Sequence, residues 1–169
     1  RASCESLWNA VEKENIVKKD IIHENSNNHN KYINNKNSGE KSAEQAGAVL
    51  RAMTVDDISA VKQIEQTCFS DAWSEKLLSD LLESEWDEAW VLTDTDGTRI
   101  GYANFRFLAG EGELMRIAVL PEYRGCGESK KLMDRLEISA KEKEAPDLTL
   151  EGRAGNTPAI NLYKSYGFQ

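Results

Sequence analysis

From about Ala46 onward, hydrophobic and polar positions recur with the spacing of strands or of helices. The stretch GAVLRAM predicts a strand, and Thr54 followed three residues later by Asp57 is a capping box that opens a helix. Apolar residues at helical spacing predict this helix and a second one that begins near Ser74. The predicted inward positions are Ile58, Val61, Ile64 and Cys68 in the first helix and Leu77, Leu78, Leu81 and Leu82 in the second.

Three strands follow, joined by two turns that contain glycine. The strands are AWVLTD, RIGYANFRFL and ELMRIAVL, with turns at Asp96-Gly97 and around Gly110 to Gly112. A glycine loop then leads into a helix that ends near Lys143, a strand DLTLEG and a helix TPAINLYKSYG. Strand, loop, helix and strand form a crossover unit, so the strands at Glu113 and Asp147 are predicted to be parallel. The predicted fold class is α/β, a mixed sheet with one parallel pair.

Residues 1–45 have a different pattern and are predicted to lie outside this domain, which spans residues 46–169. Residues 25–37, NSNNHNKYINNKN, are rich in asparagine with little to bury, so we interpret them as a largely disordered linker. A short amphipathic helix is predicted before the linker. Its apolar positions are Leu7, Trp8, Val11, Ile16, Val17, Ile21 and Ile22. Fusion to an upstream domain is one interpretation of this arrangement.

Composition narrows the classes of function. With 169 residues the chain is long enough for one domain and too short for two ordinary ones. Its net charge of −8 argues against nucleic acid as the main ligand and suits a basic peptide or protein partner. No apolar run reaches the roughly 18 residues of a membrane span, so no membrane contact is expected.

Cysteine and histidine are too few and too scattered to indicate a metal site. Cys4, Cys68 and Cys126 are widely spaced, and neither His23 nor His29 lies at a zinc-ligand spacing from them. We therefore expect a cytoplasmic protein with reduced thiols and no bound metal.

The segment PEYRGCGESKKLM, residues 121–133, has the composition of an anion-binding loop. Gly125 and Gly127 permit a tight bend and a close approach of the backbone to a ligand. The helix that follows offers free N–H groups and the positive end of its dipole. Neither the G-x-x-x-x-G-K-[ST] nor the G-x-G-x-x-G pattern of nucleotide-binding loops fits. A plain helix-initiating turn is therefore the competing interpretation.

Three motifs, in order, resemble the GNAT family of N-acetyltransferases. MRIAVLPEYRGCGESKKLM resembles the family's acetyl-CoA-binding segment, a strand, [QR]-x-x-G-x-[GA] and a helix, with Arg124, Gly127 and Ser129 on the motif positions. LEGRAGNTPAINLYKSYGF and CFSDAWSEKLLSDLL resemble two further segments in the form found in the RimI-like subgroup. The resemblance runs from Ala48 to Phe168 and favours a pyrophosphate cradle over a plain turn.

For the cofactor, the resemblance implies acetyl-CoA as co-substrate. Backbone N–H groups of the loop would hold the pyrophosphate, and the preceding strand would pair with the pantetheine arm. The residues so implied are Ile117, Ala118, Val119, Arg124, Gly125, Cys126, Gly127, Glu128, Ser129 and Asn156. Glu128 stands where the family has an apolar residue, so its carboxylate must point away from the phosphates. Asn156 is equally well explained as a helix cap.

For the chemistry, the resemblance implies a base and an acid. Glu151 would take the ammonium proton, directly or through water, and Tyr163 would protonate the departing sulfur. A solvated acid at a strand end and an aromatic ring packed on the sheet are the alternative interpretations. Glu113 is a rival base and Trp73 a candidate contact to the acceptor, although a strand-edge charge and a core side chain are the simpler interpretations of these two.

The implied activity is direct acetyl transfer to the N-terminal α-amine, with alanine as the acceptor residue, of a ribosomal or other protein. An acetyltransferase of small-molecule amines and a non-catalytic acetyl-CoA-binding module are the alternatives. The module is favoured by departures from the family pattern, because Gly152 and Gly155 would loosen the strand end at Glu151. We also expect the chain, which ends at Gln169, to be truncated before the last two strands of the family fold.

Overall fold

The computed structural model describes residues 16–20, 47–151 and 156–169, with the backbone alone for residues 16–20. Within these residues, six strands form one sheet in the order β1-β6-β5-β4-β3-β2. The strands are β1 (Ile16–Asp20), β2 (Val49–Ala52), β3 (Asp87–Thr93), β4 (Arg99–Leu108), β5 (Glu111–Val119) and β6 (Asp147–Glu151). The helices are α1 (Ile58–Cys68), α2 (Glu75–Glu83), α3 (Glu128–Glu142) and α4 (Thr157–Ser165), with short 3₁₀ turns at Val55–Asp57 and Pro121–Tyr123.

The predicted fold class is confirmed. From β2 onward the elements follow the predicted order β-α-α-β-β-β-α-β-α. β5 and β6 are parallel and are connected by the loop and α3, while the other neighbouring strands of the described sheet are antiparallel. The parallel pair therefore borders the glycine loop, as a crossover unit requires.

The N-terminal strand β1 corrects one prediction. The sequence predicts a helix through Ile16 and Val17, whereas Ile16–Asp20 is extended and pairs antiparallel with β6, placing Ile16 opposite Glu151. The edge of β6 carries backbone N–H and C=O groups, and pairing them outweighs the helical spacing of a short apolar stretch. β-Branched side chains also favour the extended form. The sheet thus reaches into the segment predicted to lie outside the domain.

Other predictions for the N-terminal segment fall outside the described residues. These are the rest of the amphipathic helix, the asparagine-rich linker and the cysteine at position 4. The same is true of residues 152–155, which include the two glycines after Glu151.

Two apolar cores lie on opposite faces of the sheet, since neighbouring strand residues belong to different cores. One core is formed with α3 and α4 and includes Phe105, Leu114, Leu132, Leu136, Leu148, Leu150 and Tyr163. The other is formed with α1 and α2 and includes Val61, Ile64, Leu78, Val91, Tyr102 and Ala118. Helices therefore cover both faces and leave the ends of the strands for a site.

β5 parts from β6 midway along its length. The parallel pairing joins Glu111–Leu114 of β5 to Asp147–Leu150 of β6 and ends there. On its other edge β5 stays paired with β4 as far as Val119, and a register shift leaves Met115 as an extra residue. A bulge of this kind bends the strand that carries it. We call the gap between residues 115–119 of β5 and strand β6 the fork.

Candidate functional site

The glycine loop follows β5 and leads into α3. Gly125 and Gly127 have φ angles of +82° and +80°, a left-handed conformation that costs residues with a Cβ roughly 1–2 kcal/mol. A Cβ at either position would meet no protein atom within 4 Å. The backbone conformation therefore requires glycine, and the space beside each Cα is open to a ligand.

The loop presents a series of backbone donors. Within the described part of the chain, no hydrogen bond engages the N–H groups of residues 125–129. The first to bond back is Lys130, whose N–H donates to the Gly127 carbonyl at 3.2 Å. These donors lie at the N-terminus of a 15-residue helix, where the helix dipole is positive. Such an arrangement of donors is suited to binding an anion.

The Arg124 side chain turns back toward the strand that precedes the loop. Its Nε donates to the Val119 carbonyl at 2.8 Å, and its Nη2 lies 3.5 Å from Sγ of Cys68 on α1. This hydrogen bond joins the last residue of β5 to the start of the loop. Arg124 thus fixes the loop relative to the fork, while the backbone N–H groups remain available for an anion.

The Glu128 carboxylate is paired within the protein. Its Oε2 lies 2.8 Å from Nζ of Lys131, and the same Nζ donates to the Ala48 carbonyl at 2.8 Å. The Glu128 side chain is only 13% exposed, so solvent screens this pair weakly. Lys131 therefore offsets the negative charge beside the loop and also joins α3 to the chain just before β2.

The open edge of β5 is the second feature of the site. Ile117, Ala118 and Val119 lie beyond the last pair with β6, so their backbone groups on that edge have no strand partner among the described residues. The Ala118 and Val119 side chains are buried, and Ile117 is half-buried. The fork therefore presents backbone N–H and C=O groups rather than side chains. Such groups suit an extended ligand that carries amide groups.

The candidate base Glu151 lies at the closed end of the fork, and the candidate acid Tyr163 lies in the core beneath the sheet. Glu151 follows Leu150, which forms with Leu114 the last pair between β6 and β5, and the Glu151 side chain is exposed. Tyr163 on α4 belongs to the same apolar core as Leu114 and Leu150. The fold therefore places Glu151 where the strands part and Tyr163 in the core that packs on these strands.

The Tyr163 ring is buried, with an edge-to-face contact to Phe168 at 6.4 Å between ring centroids. Burial raises the pKa of the Tyr163 hydroxyl above its ordinary value because the phenolate would lose its hydration. The hydroxyl is therefore protonated at neutral pH and able to act as a proton donor.

Asn156 caps helix α4. Its side-chain oxygen accepts a hydrogen bond from the Ala159 N–H at 3.3 Å, and its backbone carbonyl accepts from Ile160. The capping interpretation of Asn156 thus has direct geometric support. The cap uses the oxygen of the amide, and within the described residues the side-chain nitrogen has no hydrogen-bond partner.

Glu113 and Trp73 both lie close to the bulge at Met115. Glu113 pairs with Thr149 of β6 and Arg106 of β4, just before the strands part. Trp73, in the connection between α1 and α2, is half-buried and lines a cavity of about 340 Å³. Glu113 and Glu151 therefore flank the start of the fork, and Trp73 faces a space large enough for a ligand.

The sequence did not reveal a buried charge cluster beneath this region. Glu65 of α1 is fully buried and accepts hydrogen bonds from Arg116 Nε at 2.9 Å and Arg116 Nη2 at 2.7 Å. The Tyr102 hydroxyl and the backbone N–H of Trp73 also donate to the Glu65 carboxylate. Burial and the Glu65 charge raise the pKa of Tyr102 far above its ordinary value. One carboxylate thus holds together α1, β4, β5 and the connection between α1 and α2.

Arg116 extends this cluster to the connection itself. Its guanidinium carbon lies 3.8 Å from the centre of the Phe69 ring and 4.6 Å from that of Trp73, and Nη2 donates to the Asp71 carbonyl at 3.0 Å. A signal was present in the sequence, because Glu65 falls on the apolar stripe of α1. A charged residue at such a position requires a buried partner.

The described residues include no helix that is long and apolar enough to cross a membrane. In the same part of the chain, no group of three or more His, Cys, Asp or Glu side chains is arranged to hold a metal ion. Cys68 and Cys126 are free thiols.

Known proteins share both the sequence and the fold of this chain. Residues 58–168 match the acetyltransferase (GNAT) family. A putative ribosomal protein bS18-alanine N-acetyltransferase of Bacillus subtilis is 33% identical over 123 residues, which are 72% of this chain and 81% of that protein. An N-alpha-acetyltransferase of Sulfurisphaera tokodaii is 28% identical over 133 residues, covering 71% of this chain and 79% of that protein. The crystal structure of the ribosomal-protein-S18-alanine N-acetyltransferase from Escherichia coli matches with a TM-score of 0.66 at 30% identity, covering 72% of this chain and 77% of that one.

Proposed function

Because the chain belongs to the acetyltransferase (GNAT) family and is an N-acetyltransferase, we propose that it acetylates the N-terminal α-amine of a protein. We further propose acetyl-CoA as the donor, alanine as the accepting residue and a ribosomal protein as the first candidate acceptor. The names of the bacterial relatives support alanine and the ribosomal protein, and that of the archaeal relative supports α-amine acetylation.

The fork is the main support for acetyl-CoA as the donor, because it opens beside the glycine loop. The N–H groups of residues 125–129 would bind the pyrophosphate of acetyl-CoA. The open backbone edge of Ile117, Ala118 and Val119, apart from the Val119 carbonyl that Arg124 occupies, would pair with the amides of the pantetheine arm. The side-chain amide nitrogen of Asn156 is a further candidate donor to the arm. These residues suit the ligand in charge and hydrogen-bonding character.

Bound acetyl-CoA would supply an activated acetyl group, and Glu151 and Tyr163 would move the protons. The acceptor amine must lose a proton before it attacks, and the Glu151 carboxylate would take that proton directly or through a water molecule. As the new N–C bond forms and the C–S bond breaks, the Tyr163 hydroxyl would donate its proton to the departing sulfur. Holding both reactants at one end of the fork adds the advantage of proximity.

The acceptor is proposed to approach from the side of the connection between α1 and α2. Trp73 lines the cavity there, and the Glu65–Arg116 pair holds Trp73 in place. The net charge of −8 favours a basic polypeptide as the acceptor. Glu113, beside the start of the fork, is proposed to contact the acceptor amine rather than to act as the base.

The test is a comparison of acceptors with the full chain and acetyl-CoA. One set contains alanine-starting peptides, a second contains the same peptides with a blocked N-terminus, and a third contains small primary amines. We expect coenzyme A release only with the free alanine peptides. Turnover of the small amines alone would indicate a small-molecule acetyltransferase, and binding of acetyl-CoA with no turnover of any acceptor would also contradict the proposal.

A further inference from the structure

Strand β6 has a different neighbour on each of its two edges. On one edge it pairs with β5, and that pairing ends at Leu150. On the other edge it pairs with β1 as far as Glu151, which lies opposite Ile16. Among the described residues, Ile16 is therefore the strand partner of Glu151. The N-terminal strand thus continues the support of β6 one residue beyond the point where β5 leaves it.

The placement of Glu151 matters more to the proposed chemistry than that of any other residue of β6. A general base works only within hydrogen-bond reach of the proton that it takes. A misplacement of about 1 Å can cost about 100-fold in rate. Glu151 is the last residue of its strand, and strand ends open locally at low cost in free energy. An element that holds this strand end is therefore able to control the rate of the reaction.

β1 is joined to the sheet in an unusual way. It lies at one edge, whereas β2, the next strand along the chain, lies at the opposite edge, with residues 21–48 between them. Within the described sheet, β1 pairs with β6 and with no other strand. β1 can therefore part from β6 while the other five strands stay paired.

We propose that β1 is a positioning element for Glu151, holding the carboxylate where it takes the proton of the acceptor amine. This proposal rests on the function proposed above. The residues proposed to bind acetyl-CoA lie on β5 and in the glycine loop, away from the edge that β1 covers. Loss of the β1 pairing should therefore lower kcat and leave the affinity for acetyl-CoA unchanged.

Two proline variants of the full chain test the pairing and control for each other. Neighbouring N–H groups of an antiparallel strand point to opposite edges. One of Val17→Pro and Lys18→Pro therefore removes an N–H that faces β6, and the other removes an N–H that faces away, where proline is tolerated. Amide hydrogen exchange of residues 147–151 shows which variant releases β1. In that variant we expect kcat to fall by about tenfold or more, with normal acetyl-CoA affinity by calorimetry.

A double variant separates positioning from general destabilisation. The proline that releases β1 is combined with Glu151→Gln. If β1 acts through Glu151, this proline should lower kcat little further once the carboxylate is gone, because the two changes remove the same contribution. A general loss of structure would lower kcat by the same factor in both backgrounds.

A peptide supplied in trans should restore the activity. The peptide ENIVKKDII has the sequence of residues 14–22 and carries a blocked N-terminus so that it cannot serve as an acceptor. In excess, it should add a strand to the open edge of β6 and raise kcat of the released proline variant. The same peptide with proline at both substituted positions is the control and should have no effect.

The outcomes separate the role of β1 from the proposed function. Normal kcat in a variant whose hydrogen exchange shows β1 released would overturn the proposal, as would an equal loss of kcat in the Glu151→Gln background. Unchanged exchange in both proline variants would show that β1 does not pair with β6 and would overturn it too. Full activity of Glu151→Gln alone would instead show that Glu151 is not the base, and the proposed function would then need another.

Discussion

Arg116 and Glu65 form a two-point ion pair inside the protein, with Nε–Oε1 and Nη2–Oε2 distances of 2.9 and 2.7 Å. Glu65 belongs to α1, and Arg116 follows the bulge residue Met115 on β5. The pair therefore joins a helix to the strand at the point where that strand leaves β6. Since Arg116 also contacts Phe69 and Trp73, it positions the connection that faces the proposed acceptor.

Breaking this pair should destabilise the protein. Glu65→Gln leaves the Arg116 guanidinium, with its side chain only 12% exposed, with only the exposed Asp71 carboxylate at 3.6 Å. We expect the free energy of unfolding to fall by about 3–5 kcal/mol, as for other buried pairs that lose one partner. Urea denaturation measures it. Lys76→Gln, which breaks the exposed pair with Asp80, is the control and should cause no measurable change. Equal stability of the two variants would contradict a stabilising role of the buried Glu65–Arg116 pair.

Most of the sheet could be predicted from the sequence, because the spacing of apolar residues along each segment clearly fits either a strand or a helix. Every element from Val49 onward appears in the predicted order, including the parallel pair that borders the loop. β1 was predicted as part of a helix, because the spacing of apolar residues in so short a stretch fits both a helix and a strand. Only the neighbouring edge of β6 decides between the two. The bulge at Met115 was also invisible, because ELMRIAVL reads as a regular strand.

The candidate site was predicted where its parts are close in sequence. Gly125 and Gly127 were expected to take a special backbone conformation, and both have positive φ. The partners of Arg116 and Lys131 were not foreseen, because Glu65 lies 51 residues and Ala48 83 residues away in the chain. Contacts of this kind depend on how the elements pack, and a single sequence does not encode them locally.

A methyl group at Gly127 should weaken acetyl-CoA binding more than it weakens the fold. Gly127→Ala introduces strain of about 1–2 kcal/mol at positive φ and places a Cβ in the open space beside the N–H donors. Gly110→Ala is the matched control, since Gly110 has φ +81° and equally open surroundings in the turn at the opposite end of β5. By calorimetry, we expect a weaker affinity for acetyl-CoA in Gly127→Ala alone. A similar affinity in both variants would place the pyrophosphate elsewhere.

Removing the Glu128 charge should leave acetyl-CoA affinity equal or make it tighter. Glu128→Ile deletes a carboxylate from the positive end of α3 and releases Lys131 from its ion pair. Glu128→Gln deletes the charge with little change of shape and should behave in the same way. Titration calorimetry with acetyl-CoA measures both variants. A clear loss of affinity in both would show that the carboxylate helps to hold the loop in its binding conformation.

Tyr163→Phe should slow turnover while leaving acetyl-CoA binding intact. Loss of a general acid typically lowers kcat by about 100-fold or more, and the ring keeps its contact with Phe168. Tyr166→Phe is the control, because the Tyr166 hydroxyl bonds to Lys130 and Asp134 on α3 instead. Equal activity of the two variants would exclude Tyr163 as the acid.

The raised pKa of Tyr163 also predicts the alkaline side of the pH profile. A general acid must be protonated, so its contribution is lost only as the pH rises through its pKa. Burial moves that pKa upward from the ordinary value of about 10. Between pH 7 and 10, kcat of the wild-type chain should therefore not fall because of Tyr163 ionisation. Any fall of kcat in this range should also occur in Tyr163→Phe. A tyrosine-dependent fall below pH 9 would contradict the assigned environment.

One peptide with two amines tests the central claim most directly. It starts with a free alanine, carries a single internal lysine and is incubated with the full chain and acetyl-CoA. Tandem mass spectrometry then locates the acetyl group. We predict that the group is on the alanine α-amine in the wild-type product, and that Glu151→Gln forms far less of the same product. Acetylation of the lysine ε-amine, or no acetylation at all, would contradict an N-terminal acetyltransferase that works at the fork between β5 and β6.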